Sequence, residues 1–307
     1  MMRQALSDSL VSAAKNNYKV ILLTGDHGYG LFYEFRKHFP SQFINAGIAE
    51  QNMLGMAAGL ARAGYFPIVY GLSSFVPIRV LEQIKLDVCH DNLPVIFLGD
   101  GAGFVYSFLG TSHQSTEDIS ATRAIPNLSI YSPADRFEMS SVMDLALELR
   151  SPCYIRIGKS DVGDVHSQSL NLSKDDIPAC SISDSSISFI GTGSMVKMAT
   201  QLADEFRASV YSAPIIKPFN KQRFLELILN SQALITFEEH SVYGGLGGMI
   251  AEIISENCPK KLLRIGVEDR FSRYCGSYQY LLKEHGLDID SVRLKITNFL
   301  NINHNQY

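Results

Sequence analysis

The chain has 307 residues, of which 46% are hydrophobic and 19% charged, and its formal net charge is −4. That length exceeds one ordinary small domain and predicts about two, each able to bury its own core. No long Lys/Arg cluster stands out, which excludes the electrostatic footprint of a nucleic-acid binder, and no apolar run approaches the roughly 18 residues needed to span a bilayer.

The five cysteines, Cys89, Cys153, Cys180, Cys258 and Cys275, are odd in number, widely spaced and without a Cys-x-x-Cys pair. They point to neither a disulfide framework nor a zinc site and read as free thiols in a reducing cytoplasm. Polar residues interrupt every apolar stretch of residues 1–19, so this segment does not read as a signal peptide.

In chain order, apolar runs at 20–24, 43–45, 66–70, 95–98, 128–131 and 153–157 alternate with helix-like segments. This alternation predicts α/β architecture with mostly parallel strands. The run at 43–45 leads into a helix at 53–63 rich in Gly and Ala, whose small side chains let a backbone or a ring come close. Glu50 falls at the start of that helix. On its own it reads first as a carboxylate that complements the helix dipole.

Between Ser160 and Ser186 the composition shifts to Ser, Asp, Gln and Lys. The expected organisation is a first domain at 1–160, a linker at 161–185 and a second domain at 186–307. The second series has strand candidates at 187–190, 209–211, 233–237 and 262–266. The fold class expected is therefore two doubly wound, mostly parallel-sheet α/β domains. Gly191-Thr192-Gly193 sits where a phosphate could rest on helix N–H groups. Val196 occupies the third glycine site of a full GxGxxG, however, so the segment reads as a tight strand-to-helix turn. The glycine-rich run at 244–248 reads the same way.

The segment FINAGIAEQNMLGMAAGLARAG, residues 43–64, strongly resembles the second half of transketolases and 1-deoxyxylulose-5-phosphate synthases. The likeness continues through SFVPIRVLEQIKLDV, LGTSHQSTEDISATRAIPNLSIYSPAD and YIRIGK, and resumes in ITFEEHSVYGGLGG and IGVEDRF. It runs in order over nearly the whole chain and is most like transketolase-like proteins encoded as two separate chains. The resemblance implies a pyrimidine-binding domain followed by a transketolase C-terminal domain.

It also implies thiamine diphosphate as cofactor and assigns roles to particular residues. Glu50 would pair with the aminopyrimidine and promote the imino form that deprotonates the thiazolium carbon. Phe75 would stack on the pyrimidine, or else pack in the core. His113, after Gly110-Thr111-Ser112 in a polar loop, would face the substrate and exchange protons with it. Arg156 would grip a sugar phosphate, or else serve as a structural ion-pair residue. Glu82 reads as structural. Leu109 stands where the family carries a substrate-recognising Asp, and GDGAGFVYS lacks the family's second loop histidine; His27 and Tyr106 are the candidate substitutes.

Gly99-Asp100-Gly101 with the later Asn127 imitates the family signature that holds a divalent cation on the diphosphate. Asp100 follows its predicted strand and Asn127 precedes the next, so the two should lie at opposite sheet edges and share no ion. No metal site is expected in this chain. Mg²⁺ or Ca²⁺ should be held by a separate subunit carrying the diphosphate-binding domain, with two copies of each chain. The expected activity is transfer of a two-carbon ketol unit between sugars or sugar phosphates in the cytoplasm. A 2-oxoacid dehydrogenase β-type subunit and a catalytically silent interface subunit are the alternatives; the intact Glu50 argues against the latter.

Overall fold

The computed structural model describes residues 1–301. Its strands are β1 (Val20–Thr24), β2 (Phe43–Asn45), β3 (Phe66–Leu72), β4 (Ile96–Asp100), β5 (Ser129–Tyr131) and β6 (Cys153–Ile157), followed by β7 (Ala179–Ser181), β8 (Ile187–Gly191), β9 (Ser209–Ser212), β10 (Ile215–Lys217), β11 (Ala233–Ser241) and β12 (Lys261–Val267). They form a seven-stranded sheet of order β10-β5-β6-β4-β3-β1-β2 and a five-stranded sheet of order β12-β11-β8-β9-β7. Every pairing is parallel except β10 with β5 and β7 with β9. This is the α/β architecture of two mostly parallel sheets expected from the strand–helix alternation.

Strands β1, β4 and β6 are buried along their whole length, as parallel strands covered on both faces must be. Their side chains divide by the two-residue period of a strand. Val20 and Leu22 of β1, Ile96 and Leu98 of β4, and Ile155 of β6 face the helices Met2–Asn16 and Arg136–Leu149, which contribute Leu6, Leu10, Val142 and Met143. Ile21, Leu23, Val69 and Phe97 face the helix Glu50–Arg62 through Met53, Leu54 and Ala57. Each such aliphatic side chain contributes about 1.5–3 kcal/mol by leaving water.

The second core continues without a break through Ile119 and Ile125 to Ile190, Leu234, Leu246 and Ile250 of the five-stranded half. The two halves are coupled by backbone as well. Strand β10, from the second half of the sequence, pairs antiparallel with β5 and closes one edge of the first sheet. Residues read from the sequence as linker also carry structure: β7 pairs with β9. Upstream of β7, Asp135 Oδ2 accepts the N–H groups of Val165 and His166, both at 2.9 Å. Among the described residues no helix is long and apolar enough to cross a membrane.

Candidate active site

In a parallel α/β sheet the strand carboxyl ends form the edge where ligands bind. The loops after β1, β2, β3 and β4 bring His27, Glu50, Phe75 and Tyr106 to that edge. Gly71 in β3 lets the chain fold back sharply there, because a Cβ at this position would lie 2.5 Å from Val76 Cγ2.

Glu50 opens the helix Glu50–Arg62, which starts one turn earlier than the Gly/Ala pattern alone indicates. Its carboxylate is 4% exposed and accepts a hydrogen bond from Arg79 Nη1 at 2.9 Å. The Arg79 guanidinium carbon stands 4.0 Å from the centroid of the Phe75 ring. Phe75 is half-buried, and its ring meets that of His113 edge-on, with centroids 5.3 Å apart and planes at 68°. The structure thus brings Glu50, Phe75 and His113 together. Arg79 completes the group and was missed in the sequence reading. The pair is set by a turn in which Arg79 N–H donates to the Phe75 carbonyl at 3.0 Å, and Pro77 between them hides it from a helical spacing rule. Glu82 is exposed on the short helix Leu81–Gln83. Around the site Ile48, Phe108 and Leu109 are exposed apolar side chains.

The two candidate substitutes differ. Tyr106 donates its hydroxyl to Asp100 Oδ2 at 2.7 Å, and burial together with that carboxylate pushes its phenol pKa up. Its hydroxyl proton is committed to Asp100, so towards a substrate Tyr106 could act only as an acceptor. His27 lies against the Tyr70 ring with centroids 5.1 Å apart, and its Nδ1 pairs with the Gly25 carbonyl at 2.8 Å. Its Nε2 is buried without a hydrogen-bond partner.

Asp100 is buried and also receives Arg3 Nη2 at 2.8 and 3.0 Å and the Tyr70 hydroxyl at 2.8 Å. Asn127 stands before β5 and donates to the Cys89 carbonyl at 3.0 Å. The two side chains lie at opposite edges of the sheet. Among the described residues no group of three or more His, Cys, Asp or Glu side chains is placed to hold a metal ion.

Arg156 requires a correction. It is 1% exposed, with Nε on Asp118 Oδ2 at 2.8 Å and Nη2 on the carbonyls of Glu239 at 2.7 Å and Ser115 at 3.4 Å. Its strand β6 lies inside the sheet, and the end of β11 covers the guanidinium. No face is open to a sugar phosphate, and the structural ion-pair reading is the one this geometry displays.

The second half grips the loop that bears His113. Ser241 N–H donates to the Thr116 carbonyl at 2.6 Å, and Ser272 Oγ donates to Gln114 Oε1 at 2.8 Å and lies 2.9 Å from His285 Nε2. Glu239 accepts Phe104 N–H at 2.6 Å, Ser194 Oγ at 2.8 Å and the Tyr278 hydroxyl. Gly103, at φ +69°, makes room for it: a Cβ there would lie 2.3 Å from Glu239 Oε1. His240 Nε2 accepts Ser120 N–H at 3.3 Å, and burial pushes that imidazole down to about 4, so the ring is neutral. The glycine-rich helix start is filled internally, since Glu238 accepts the N–H groups of Leu246 and Gly247 at 2.8 Å each. Burial, opposed by these N–H groups, pushes Glu238 up to about 7.

A parallel sheet whose carboxyl edge gathers a buried carboxylate, an aromatic ring and a loop histidine, backed by a second α/β unit, defines an α/β protein with a candidate ligand site at the strand ends. Residues 1–164 match the family model "Transketolase, pyrimidine binding domain" and residues 182–292 match "Transketolase, C-terminal domain". The chain belongs to the transketolase family. One subunit of the apulose-4-phosphate transketolase from Actinobacillus succinogenes is 30% identical, over 93% of this chain and 94% of its own length. The 1-deoxy-D-xylulose-5-phosphate synthase of Clostridium acetobutylicum is 31% identical over 96% of this chain but 49% of its own length. A solved split-gene transketolase, an inactive β4 tetramer, has a TM-score of 0.89 at 31% identity and covers 98% of each chain. In extent and fold the chain is similar to one subunit of a split transketolase.

Proposed function

We propose that this chain is the pyrimidine-side subunit of a thiamine diphosphate-dependent enzyme that transfers a two-carbon ketol unit between sugars or sugar phosphates. The observation that carries this reading is the buried Glu50 carboxylate at the sheet's carboxyl edge, in one group with Phe75 and His113. A carboxyl group beside an aromatic face suits an aminopyrimidine: protonated, it donates to a ring nitrogen in the ring plane, and the aromatic face meets the ring's π surface. The diphosphate half does not fit here. Asp100 is committed to Arg3, Tyr70 and Tyr106, and Asn127 lies at the other edge.

When bound, thiamine diphosphate supplies the nucleophilic carbon and electron sink that ketol transfer requires. Glu50 accepts or donates a proton at the ring nitrogen of the aminopyrimidine, general acid–base work by a positioned group. Phe75 orients the ring. His113, on its partly exposed loop, moves protons at substrate oxygens. Arg156 is assigned a structural role, so a substrate phosphate would be bound by other groups.

A separate subunit with the diphosphate-binding domain would hold the diphosphate and Mg²⁺ or Ca²⁺, in an assembly with two copies of each chain. The exposed Ile48, Phe108 and Leu109 beside the site support such a partner surface. The free thiols favour a cytoplasmic setting. Reconstitution with the partner subunit, followed by a ketol-transfer assay, tests the reading. Cofactor-dependent turnover that vanishes in Glu50→Gln is expected. Turnover unchanged in that variant would reject the assignment.

A further inference from the structure

Arg79 stands outside the core, yet it touches both groups assigned to the aminopyrimidine. Its side chain is 45% exposed while that of Glu50 is 5% exposed, so the guanidinium closes over the carboxylate from the solvent side. The same guanidinium lies against the Phe75 ring, 4.0 Å from its centroid. That distance is well inside the range at which a cation is attracted by a ring face.

Glu50 and Phe75 come from different elements. One opens the helix after β2, and the other lies in the turn after β3. Each side chain has rotamers of its own, so the backbone alone does not set their relative placement. Arginine is suited to remove that freedom. Its donors radiate in the guanidinium plane while its faces stack, so one group can hold a carboxylate and an aromatic ring at once. Lysine has a point charge and no plane. The bond from Nη1 goes to Glu50 Oε2, which leaves Oε1 to share a proton with a ring nitrogen.

We propose that Arg79 is a positioning residue: it fixes the Glu50 carboxylate and the Phe75 ring in one geometry before the cofactor arrives. This rests on Glu50 and Phe75 being the aminopyrimidine's partners. Pre-ordering two contacts lowers the cost of binding, so the effect falls on cofactor affinity first.

The test uses the full chain assembled with its diphosphate-binding partner subunit. Thiamine diphosphate is titrated at saturating Mg²⁺, by calorimetry and by turnover, for wild type, Arg79→Gln, Arg79→Lys, Phe75→Leu and the Arg79→Gln/Phe75→Leu double variant. Arg79→Gln should weaken binding by about tenfold and lower kcat at saturating cofactor less than Glu50→Gln does. Its melting temperature should stay at the wild-type value, because the side chain is half-exposed. Arg79→Lys, which keeps reach to Glu50 without the stack, should recover part of the affinity. The double variant should lose less than the product of the two single losses. Wild-type or tighter binding by Arg79→Gln, or multiplicative losses in the double variant, would overturn the proposal. A wild-type assembly that binds no thiamine diphosphate would overturn the functional reading along with it. Wild-type binding with an unaffected variant would overturn the role of Arg79 alone.

Discussion

Glu50, Phe75 and His113 carry their meaning in local sequence. Glu50 stands at the junction of a short strand and a small-residue helix, Phe75 just after a strand, and His113 in a polar loop. Arg156 does not, because its surroundings are made by distant chain: Asp118 on one side and the Glu239 carbonyl, 83 residues away, on the other. Nothing in YIRIGK marks that guanidinium as covered. The two readings of Arg156 separate experimentally. As a buried hub, Arg156→Ala should destabilise the chain by about 3–5 kcal/mol, because Asp118 would be left unpaired in the interior. Chemical denaturation measures this. A phosphate-gripping residue would instead raise the sugar-phosphate KM at unchanged stability. For His113→Asn, turnover should fall by about a hundredfold or more while cofactor affinity and melting temperature hold. Loss of stability with unchanged specific activity would mark His113 as structural.

Among the elements, the long buried strands were readable because several apolar residues in a row outweigh local ambiguity. β7 and β10 were not: each pairs antiparallel at a sheet edge with a strand that its local sequence does not announce. The stretch read as a flexible connection is likewise tied down, by contacts that composition does not reveal. His166 Nε2 reaches Glu138 Oε1 at 2.8 Å, and Glu138 Oε2 accepts Ala134 N–H at 2.6 Å. Burial opposes the charged imidazole, but the Glu138 hydrogen bond and charge outweigh it, and the His166 pKa is raised above its ordinary 6.5. A raised folded-state value makes this clasp fully stabilising below pH 6.5, with the contribution lost as pH rises through the folded value. The stability difference between wild type and His166→Gln should therefore shrink as pH increases above neutrality. Melting curves across that range check it, and a difference that grows with pH would refute the clasp.

For the molecule as a whole, the two α/β halves share one continuous core, are joined by strand β10, which the second half lends to the first sheet, and meet through Glu239, which joins Phe104, Ser194 and Tyr278. Removing that carboxylate leaves three donors without their partner at the junction. Glu239→Ala should cost about 3 kcal/mol or more, since each unsatisfied buried group costs about 1–3 kcal/mol. It should also lower turnover by loosening the loop that carries His113. Urea denaturation read separately from each half should still show one coincident transition for the wild type. Two well-separated transitions would contradict a shared core.

The proposed function, with the pyrimidine-side contacts on this chain and Asp100 and Asn127 committed elsewhere, implies a particular assembly. Calorimetric titration of thiamine diphosphate with Mg²⁺ tests it most directly, on the purified chain alone and then on the chain mixed with a subunit carrying the diphosphate-binding domain. Very weak binding alone, and tight binding at one cofactor per pair of chains once the partner is present, is the expected result. Tight stoichiometric binding by this chain alone, or no binding in the mixture, would contradict it.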